Sequence, residues 1–269
     1  MVTADIVVFT SAVWATTCTA VRSRGVTVLI DSPVFPEELA AVPKLLEEHG
    51  FPIEGLSLFT THGDWDHILG PLMFPKAPLL CGQSTADRLA ADPEDLDSSL
   101  RAFDEMFYVK RPEALTLDRL EPLSVPGDIT VGDIDISLVQ ADGHTVDGTA
   151  ALLRGARVLA AGDYLSPVEV PRLRGPLDAH LHTLDRLEAT LAEVAIVIPG
   201  HGHPISRDLA LKVLAEDRTY LQQLRDLGQD AALPPGRDDG EQQRVHRDMN
   251  VPTVEGRPVR GAAGGNLPG

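Results

Sequence analysis

Four times along this chain a short apolar run gives way to a histidine or an aspartate beside a glycine. Leu56-Ser-Leu-Phe-Thr60 runs into His62-Gly-Asp64-Trp-Asp66-His67, and the alternating stretch from Ile129 to Gln140 runs to Gly143-His144. Val158 to Ala161 leads to Gly162-Asp163, and Val194 to Ile198 leads to Pro199-Gly-His201. Such runs, rich in β-branched residues, read as strands. Loops at strand ends can converge on one rim of a sheet, so side chains far apart in sequence can meet there. Glycine beside them lets the backbone turn tightly. Imidazole and carboxylate groups in this arrangement are the usual ligands of Zn, Fe and Mn.

Between these four points, strands and helices alternate. Ile6 to Phe9, Val26 to Ile30, Leu79 to Cys81 and Thr149 to Leu153 are further strand candidates. Pro36 to His49 has helical spacing, with Leu39, Val42, Leu45 and Leu46 on one face and Gly50 as a stop. Ser84 to Ala91, Leu177 to Ala192 and Arg207 to Leu227 also read as helices. This order predicts an α/β sandwich with mixed sheets. Residues 92 to 115 are acidic and helical in part. Phe103, Met106, Phe107 and Tyr108 there have two readings: an apolar face packed on the core, or a lid over a substrate pocket. The second reading makes Phe103, Phe107 and Tyr108 substrate-contact candidates. The expected domain spans residues 1–232. Residues 233–269, with Pro234-Pro-Gly-Arg-Asp-Asp-Gly240 and a Gly- and Pro-rich end, are expected to be a linker and a flexible tail.

Composition excludes several functions. Forty Asp and Glu residues oppose 23 Lys and Arg, giving a formal net charge of −17, and no Lys/Arg-rich block is present. A nucleic-acid partner is therefore not expected, because phosphate contacts supply most of that affinity. No apolar stretch is long enough to span a bilayer, and the N-terminus has no basic region before its apolar run. Cys18 and Cys81 are the only cysteines and read as reduced core thiols of a cytoplasmic protein.

The four motifs, in this order, resemble those of the metallo-β-lactamase-fold hydrolases, and the resemblance runs to about Leu227. It implies a four-layer αββα sandwich with a metal site at one edge of the sheets. Carried over residue by residue, it implies a first site of His62, Asp64 and His144. Asp66, His67 and His201 would form a second, and Asp163 would bridge them. One or two divalent ions are implied, with Zn favoured and Mn or Fe as alternatives. Asp66 would also be catalytic, orienting water and carrying its proton. The chain departs from the commonest pattern at Asp64, where histidine is usual. That carboxylate brings the ligand shell close to neutral and favours harder ions.

The Gly143-His-Thr145 and Pro199-Gly-His-Gly202 segments look like the glyoxalase II and lactonase branch. The favoured activity is thus hydrolysis of a small activated acyl compound, a thioester or a lactone. Three alternatives stand beside it. A phosphodiesterase or nuclease is supported by the Asp64 variant. A non-haem iron oxidoreductase is supported by the His62, Asp64, His144 set. The third is a catalytically silent metal-binding scaffold that serves as an interaction module. The partner is expected to be a small molecule, with oligomeric state left open. Tyr164 flanks a ligand and is a candidate to reach a substrate oxygen. His180 and His182 lie two apart on a helix and read as surface residues. His203 is a neighbour of the ligand motif, and His246 carries no signal.

Overall fold

The structure is a computed structural model that describes residues 2–3, 5–237 and 240–254. Its first half contains β1 (Ile6–Thr10), β2 (Thr17–Ser23), β3 (Val26–Ile30), α1 (Pro36–Glu48), β4 (Ser57–Phe59) and α2 (Gly70–Met73). It continues through β5 (Leu79–Gly82), α3 (Gln83–Ala91), α4 (Pro93–Met106) and β6 (Leu120–Leu123). The second half contains β7 (Gly127–Val131), β8 (Ile134–Gln140), β9 (Thr149–Leu153) and β10 (Val158–Ala160). Then come α5 (Leu177–Leu191), β11 (Ile196–Ile198), β12 (Ile205–Ser206), α6 (Arg207–Leu227) and α7 (Glu241–Val254). Strands β1 to β6 form one six-stranded sheet in sequence order, and β7 to β12 form the other. Both are mixed: β3, β4, β5 and β6 run parallel, as do β10 and β11, while the remaining pairs are antiparallel.

The period-two alternation of strand side chains explains the layering. Val28 and Ile30 of β3 point between the sheets, where they join Ile136, Leu138, Ala151, Leu153 and Val158 of the second sheet. Leu29, between them in sequence, faces the opposite way and packs with Val42 and Leu46 of α1. In the second sheet, Leu152 and Leu159 face outward and pack under Leu184, Leu187, Leu214 and Leu221 of α5 and α6. Each sheet thus buries one face on the other sheet and one on helices. The result is the expected αββα arrangement.

The two sheets are tied together at one rim. Thr149 N donates to Thr61 O at 2.7 Å, and Thr17 N donates to Gly200 O at 2.8 Å. The Thr17 hydroxyl donates to Pro199 O at 2.7 Å. These bonds tie the loop after β4 to the start of β9 and the loop after β11 to the start of β2, and both loops carry metal-ligand candidates.

Residues beyond 232, read from sequence as a linker, contain structured parts. Arg237 is buried and pairs with buried Asp217 of α6, 2.7 Å away. Val251 of α7 joins the helical core layer. A polar, Pro- and Gly-rich stretch hides this because its anchors are single side chains without periodicity. Of the linker and tail expected over residues 233–269, the part from residue 255 lies outside the described residues.

The Arg237–Asp217 pair makes a prediction. Removing one partner of a buried ion pair leaves an uncompensated charge and costs about 3–5 kcal/mol. Arg237→Met is therefore expected to lower unfolding stability by that order in urea titrations. The double variant with Asp217→Leu is expected to recover the part of the loss due to the unpaired carboxylate, but not the part due to the bonds Arg237 makes to Ser166 O and Glu169 O. A double variant no better than the single would show that the pair is not the anchor.

Candidate metal centre

The loop after β4 is shaped by two carboxylates outside the motif. Asp31, at the end of β3, accepts from Thr61 N at 2.8 Å and from the Thr61 hydroxyl at 2.9 Å. Asp147, which follows His144, accepts from Gly63 N at 2.8 Å. On the other side of the rim, Gly200 N donates to Gly162 O at 2.6 Å. A Cβ at Gly200 would overlap the Asp163 carboxylate, so this close approach requires glycine.

These loops bring all seven motif residues together. Among the described residues, two groups could hold a metal ion: His62, His144 and Asp163, and Asp66, His67 and His201. In the first group, Asp163 Oδ2 lies 3.7 Å from His62 Nε2 and 3.1 Å from His144 Nε2. Asp64 Oδ2 lies 3.8 Å and 3.7 Å from the same two nitrogens. In the second, His67 Nε2 and His201 Nε2 are 3.3 Å apart and each is 3.6 Å from Asp66 Oδ2. Asp163 approaches both, at 3.1 Å and 3.4 Å. Ligand bonds of about 2.0–2.2 Å in a tetrahedral shell place neighbouring donors roughly 3.3–3.6 Å apart. The observed separations straddle that value. Nε2 of His62, Nε2 of His144 and Oδ1 of Asp163 are buried without hydrogen-bond partners. Orphaned atoms of this kind, facing one another, fit a divalent ion.

The outer ring nitrogens point the same way. His144 Nδ1 is 2.8 Å from Arg172 O, a backbone acceptor, and so donates to it. His67 Nδ1 is 3.2 Å from Asp31 Oδ2, His62 Nδ1 is 3.0 Å from the Thr61 hydroxyl, and His201 Nδ1 is 3.2 Å from Trp14 O. Partners at Nδ1 fix ring orientation and turn Nε2 inward, as metal ligation needs.

The charges are strongly coupled. Burial pushes the Asp163 carboxyl up, but His201, His67, His144 and His62 together outweigh it and hold the group well below the usual carboxylate range. Burial pushes His144 and His201 down, yet surrounding carboxylates, Asp163 for both, with Asp64 near His144 and Glu169 near His201, raise them to about 9 and about 10. His67 is raised as well, because Asp163, Asp66 and Asp31 outweigh its burial. His62 goes down through burial and the proximity of His67.

Asp64 has partners that sequence did not reveal. Its Oδ1 accepts from Arg88 of α3 at 2.8 Å, and Arg174 Nη1 lies 3.4 Å from either oxygen. Arg88 also donates to Asp147 at 2.9 Å. Burial raises the Asp64 carboxyl, but Arg174, His144, His62 and Arg88 hold it well below the ordinary range. Two guanidinium groups outside the ligand candidates thus stand beside Asp64, which the ligand residues alone do not reveal.

The remaining candidates divide. Tyr164 is buried, and its hydroxyl donates to Ala141 O at 2.8 Å and accepts from Gly143 N at 2.8 Å and His144 N at 2.6 Å. It shapes the His144 loop and presents no group to a substrate, which corrects the expectation from sequence. Phe103 is buried against Trp65, with ring centroids 4.5 Å apart, and therefore supports the metal loop from behind. Phe107 stacks on Phe103 at 4.8 Å and is half exposed. Tyr108 lines a surface recess with Arg101, Asp104, Glu105, Val109 and Lys110, none of them a ligand candidate. His180, read as a surface residue, is buried against Tyr164 because its helix face meets Gly143, while His203 is exposed.

The model of the metallo-beta-lactamase superfamily matches residues 12–201. No curated protein gives a significant sequence match. Among solved structures, a metallo-beta-lactamase family protein of Thermus thermophilus superposes with a TM-score of 0.67 at 19% identity, over 95% of both chains. An archaeal superfamily protein of Sulfolobus tokodaii gives 0.63 at 18%, over 93% of this chain and 97% of its own. The DIM-1 metallo-beta-lactamase gives 0.60 at 18%, over 80% and 93%.

Proton linkage tests the centre. His67, His144 and His201 are raised in the metal-free protein, so they hold protons at neutral pH that an ion must displace. Zn uptake at pH 7 is expected to release up to three protons per saturated site pair, read with a pH indicator in weak buffer. Affinity is expected to rise with pH toward about 9 to 10, as His144 and His201 deprotonate. The same shifts stabilise the metal-free fold below the unfolded histidine value and lose that contribution as pH rises through the folded values. Zn binding without proton release would remove these histidines from the site.

Proposed function

The chain belongs to the metallo-beta-lactamase superfamily of metal-dependent hydrolases, and we propose that it hydrolyses a small activated acyl compound, a thioester or a lactone, at the seven-residue centre. One observation carries this reading. Four inward Nε2 atoms and three carboxylates form two adjacent groups, each able to hold a divalent ion, and Asp163 approaches both, which supports a metal-dependent hydrolase. His62, Asp64, His144 and Asp163 would hold one ion, and Asp66, His67, His201 and Asp163 the other. Divalent ions bound there supply Lewis acidity and make water acidic enough to ionise near neutral pH.

The side chains have distinct tasks. Asp66 turns Oδ2 toward His67 and His201, each 3.6 Å away, and in this reading its carboxylate orients water and takes its proton. The ring stack of Trp14, Trp65 and Phe103 backs this loop and keeps bulk water out from beneath it. Asp31 holds both the Thr61 backbone and the His67 ring, so the loop and its ligand move as one unit. The choice of acyl substrate rests on the likeness of the Gly143-His-Thr145 and Pro199-Gly-His-Gly202 segments to the thioesterase and lactonase branch. A phosphodiester is the second reading, favoured by the two arginines on Asp64.

A panel of thioester, lactone and phosphodiester probes on metal-loaded protein decides between them. Turnover of the acyl probes is expected to exceed that of bis(para-nitrophenyl) phosphate. Asp66→Asn is expected to lower kcat by about 10²- to 10⁴-fold, the usual contribution of a positioned acid or base. Metal content measured alongside separates lost proton handling from lost metal. Turnover confined to the phosphodiester would overturn the acyl reading.

A further inference from the structure

Helix α3 lies across two of the metal-motif loops and is pinned to both through one buried carboxylate. Asp147 follows His144 by three residues, and its side chain has no exposure. Its Oδ2 accepts from Gly63 N at 2.8 Å, and its backbone oxygen accepts from the Thr85 hydroxyl at 3.0 Å. Its Oδ1 accepts from Arg88 Nη1 at 2.9 Å. The second nitrogen of the same guanidinium, Nη2, donates to Asp64 Oδ1 at 2.8 Å. Asp95 adds a longer contact from the solvent side, 3.6 Å from Nη2. Arg88 therefore holds Asp64 directly and, through Asp147, fixes the residue between His62 and Asp64.

The two oxygens of Asp64 are thereby made unlike. Oδ1 is taken by Arg88, while Oδ2 lies 3.8 Å from His62 Nε2 and 3.7 Å from His144 Nε2. Arg174 Nη1, on a side chain that is 39% exposed, is 3.4 Å from either oxygen and does not distinguish them. The Arg88 bond has the length of a strong, charge-assisted contact. Its planar fork cannot swing away from Asp64 and keep its place on Asp147. An unrestrained carboxylate can give an ion one oxygen or both. Two-oxygen binding raises the ligand count and suits larger, harder ions. One oxygen of Asp64, with His62, His144 and Asp163, makes four donors, the number that Zn takes in a tetrahedral shell.

We propose that Arg88 is a positioning residue that holds Asp64 to a single ligand oxygen and so makes the first site select Zn over Mn. A carboxylate where histidine is usual favours the harder ion by itself, and Arg88 offsets that preference. The inference rests on the reading of Asp64 as a ligand beside His62, His144 and Asp163, and it is independent of the substrate.

The test measures metal preference, not turnover. Metal-free protein is titrated with Mn, read from the electron paramagnetic resonance of the unbound ion, and with Zn, read by competition with a chelating dye. The first-site ion is the one lost in Asp64→Ala. Arg88→Met combined with Asp147→Asn removes the guanidinium without leaving a buried carboxylate unpaired, and it keeps the net charge. In that variant the ratio of the Mn to the Zn Kd at the first site is expected to fall by about tenfold or more, the size of effect typical of groups that hold a ligand. Asp147→Asn alone keeps Arg88 on Asp64 and is expected to retain the wild-type ratio. Arg88→Lys combined with Asp147→Asn restores a cation and is expected to recover part of it. Circular dichroism confirms that each variant is folded, and the lysine variant against Asp147→Asn alone reads the same ratio if the methionine variant does not fold. An unchanged ratio, or an equal change at both ions, would overturn the positioning role. If Asp64→Ala loses one ion and the ratio is unchanged, Asp64 is a ligand that Arg88 does not restrict. If Asp64→Ala keeps every ion that wild type binds, the ligand reading fails and the inference fails with it.

Discussion

Asp163 places one carboxylate among the Nε2 atoms of four histidines, 3.1 to 3.7 Å from each. Everything at the rim is arranged around that contact. The carboxylate follows β10, two of the histidines come from the loop after β4, one follows β8 and one follows β11. Four strand ends must therefore finish at the same height on two different sheets. The parallel pairing of β10 with β11 sets two of them, and the Thr149–Thr61 bond with the pairing of Gln140 and Thr149 in β8 and β9 sets the others. The glycines at 162 and 200 remove the side chains that would keep these loops apart. A buried carboxylate and several imidazoles with unpaired nitrogens are costly in a protein interior. In the metal-free protein, shared protons on the raised histidines offset that cost. The same protons must leave when ions bind, which couples the centre to pH.

Much of this was legible in the sequence, and the reason is physical. Metal ligands must combine a restricted set of residue types with strand-end placement, so His62, Asp64, Asp66, His67, His144, Asp163 and His201 stand out as apolar-run endings. Strand alternation and helical spacing revealed most elements of the two sheets. The missing parts carry no such local mark. β2 and β6 have mixed burial and no clear period, and α7 begins after a stretch of Pro, Gly and Asp. Asp31 and Asp147 sit near motifs, but their roles depend on backbone N–H groups that only the folded loops bring to them. Arg88 is one exposed-looking arginine on a helix until α3 lies across Asp64. Tyr164 reads as a substrate contact because it neighbours a ligand, whereas its hydroxyl is needed by three backbone groups.

The arginines also settle how far a global charge count reaches. The chain carries a net charge of −17, and taken alone this opposes any anionic ligand. Exposed charges beyond about 10 Å are largely screened at moderate ionic strength, however, while partly buried pairs are not. Within that range of the first ligand group the fold gathers Arg88, Arg172 and Arg174 together with Asp64, Asp95, Asp147 and Asp163. The local field therefore takes its sign from a few fixed side chains and not from the distributed acidic surface. Those side chains are fixed by the part of the chain least readable from composition. Arg237, Gln243 and Asn250 satisfy the outward backbone groups of the Ser166–Arg174 loop. Without them the loop would have to find water or rearrange, and His144 would lose the carbonyl that orients its ring. The C-terminal segment is thus coupled to the metal centre through two hydrogen-bonded layers, α7 to the loop and the loop to His144.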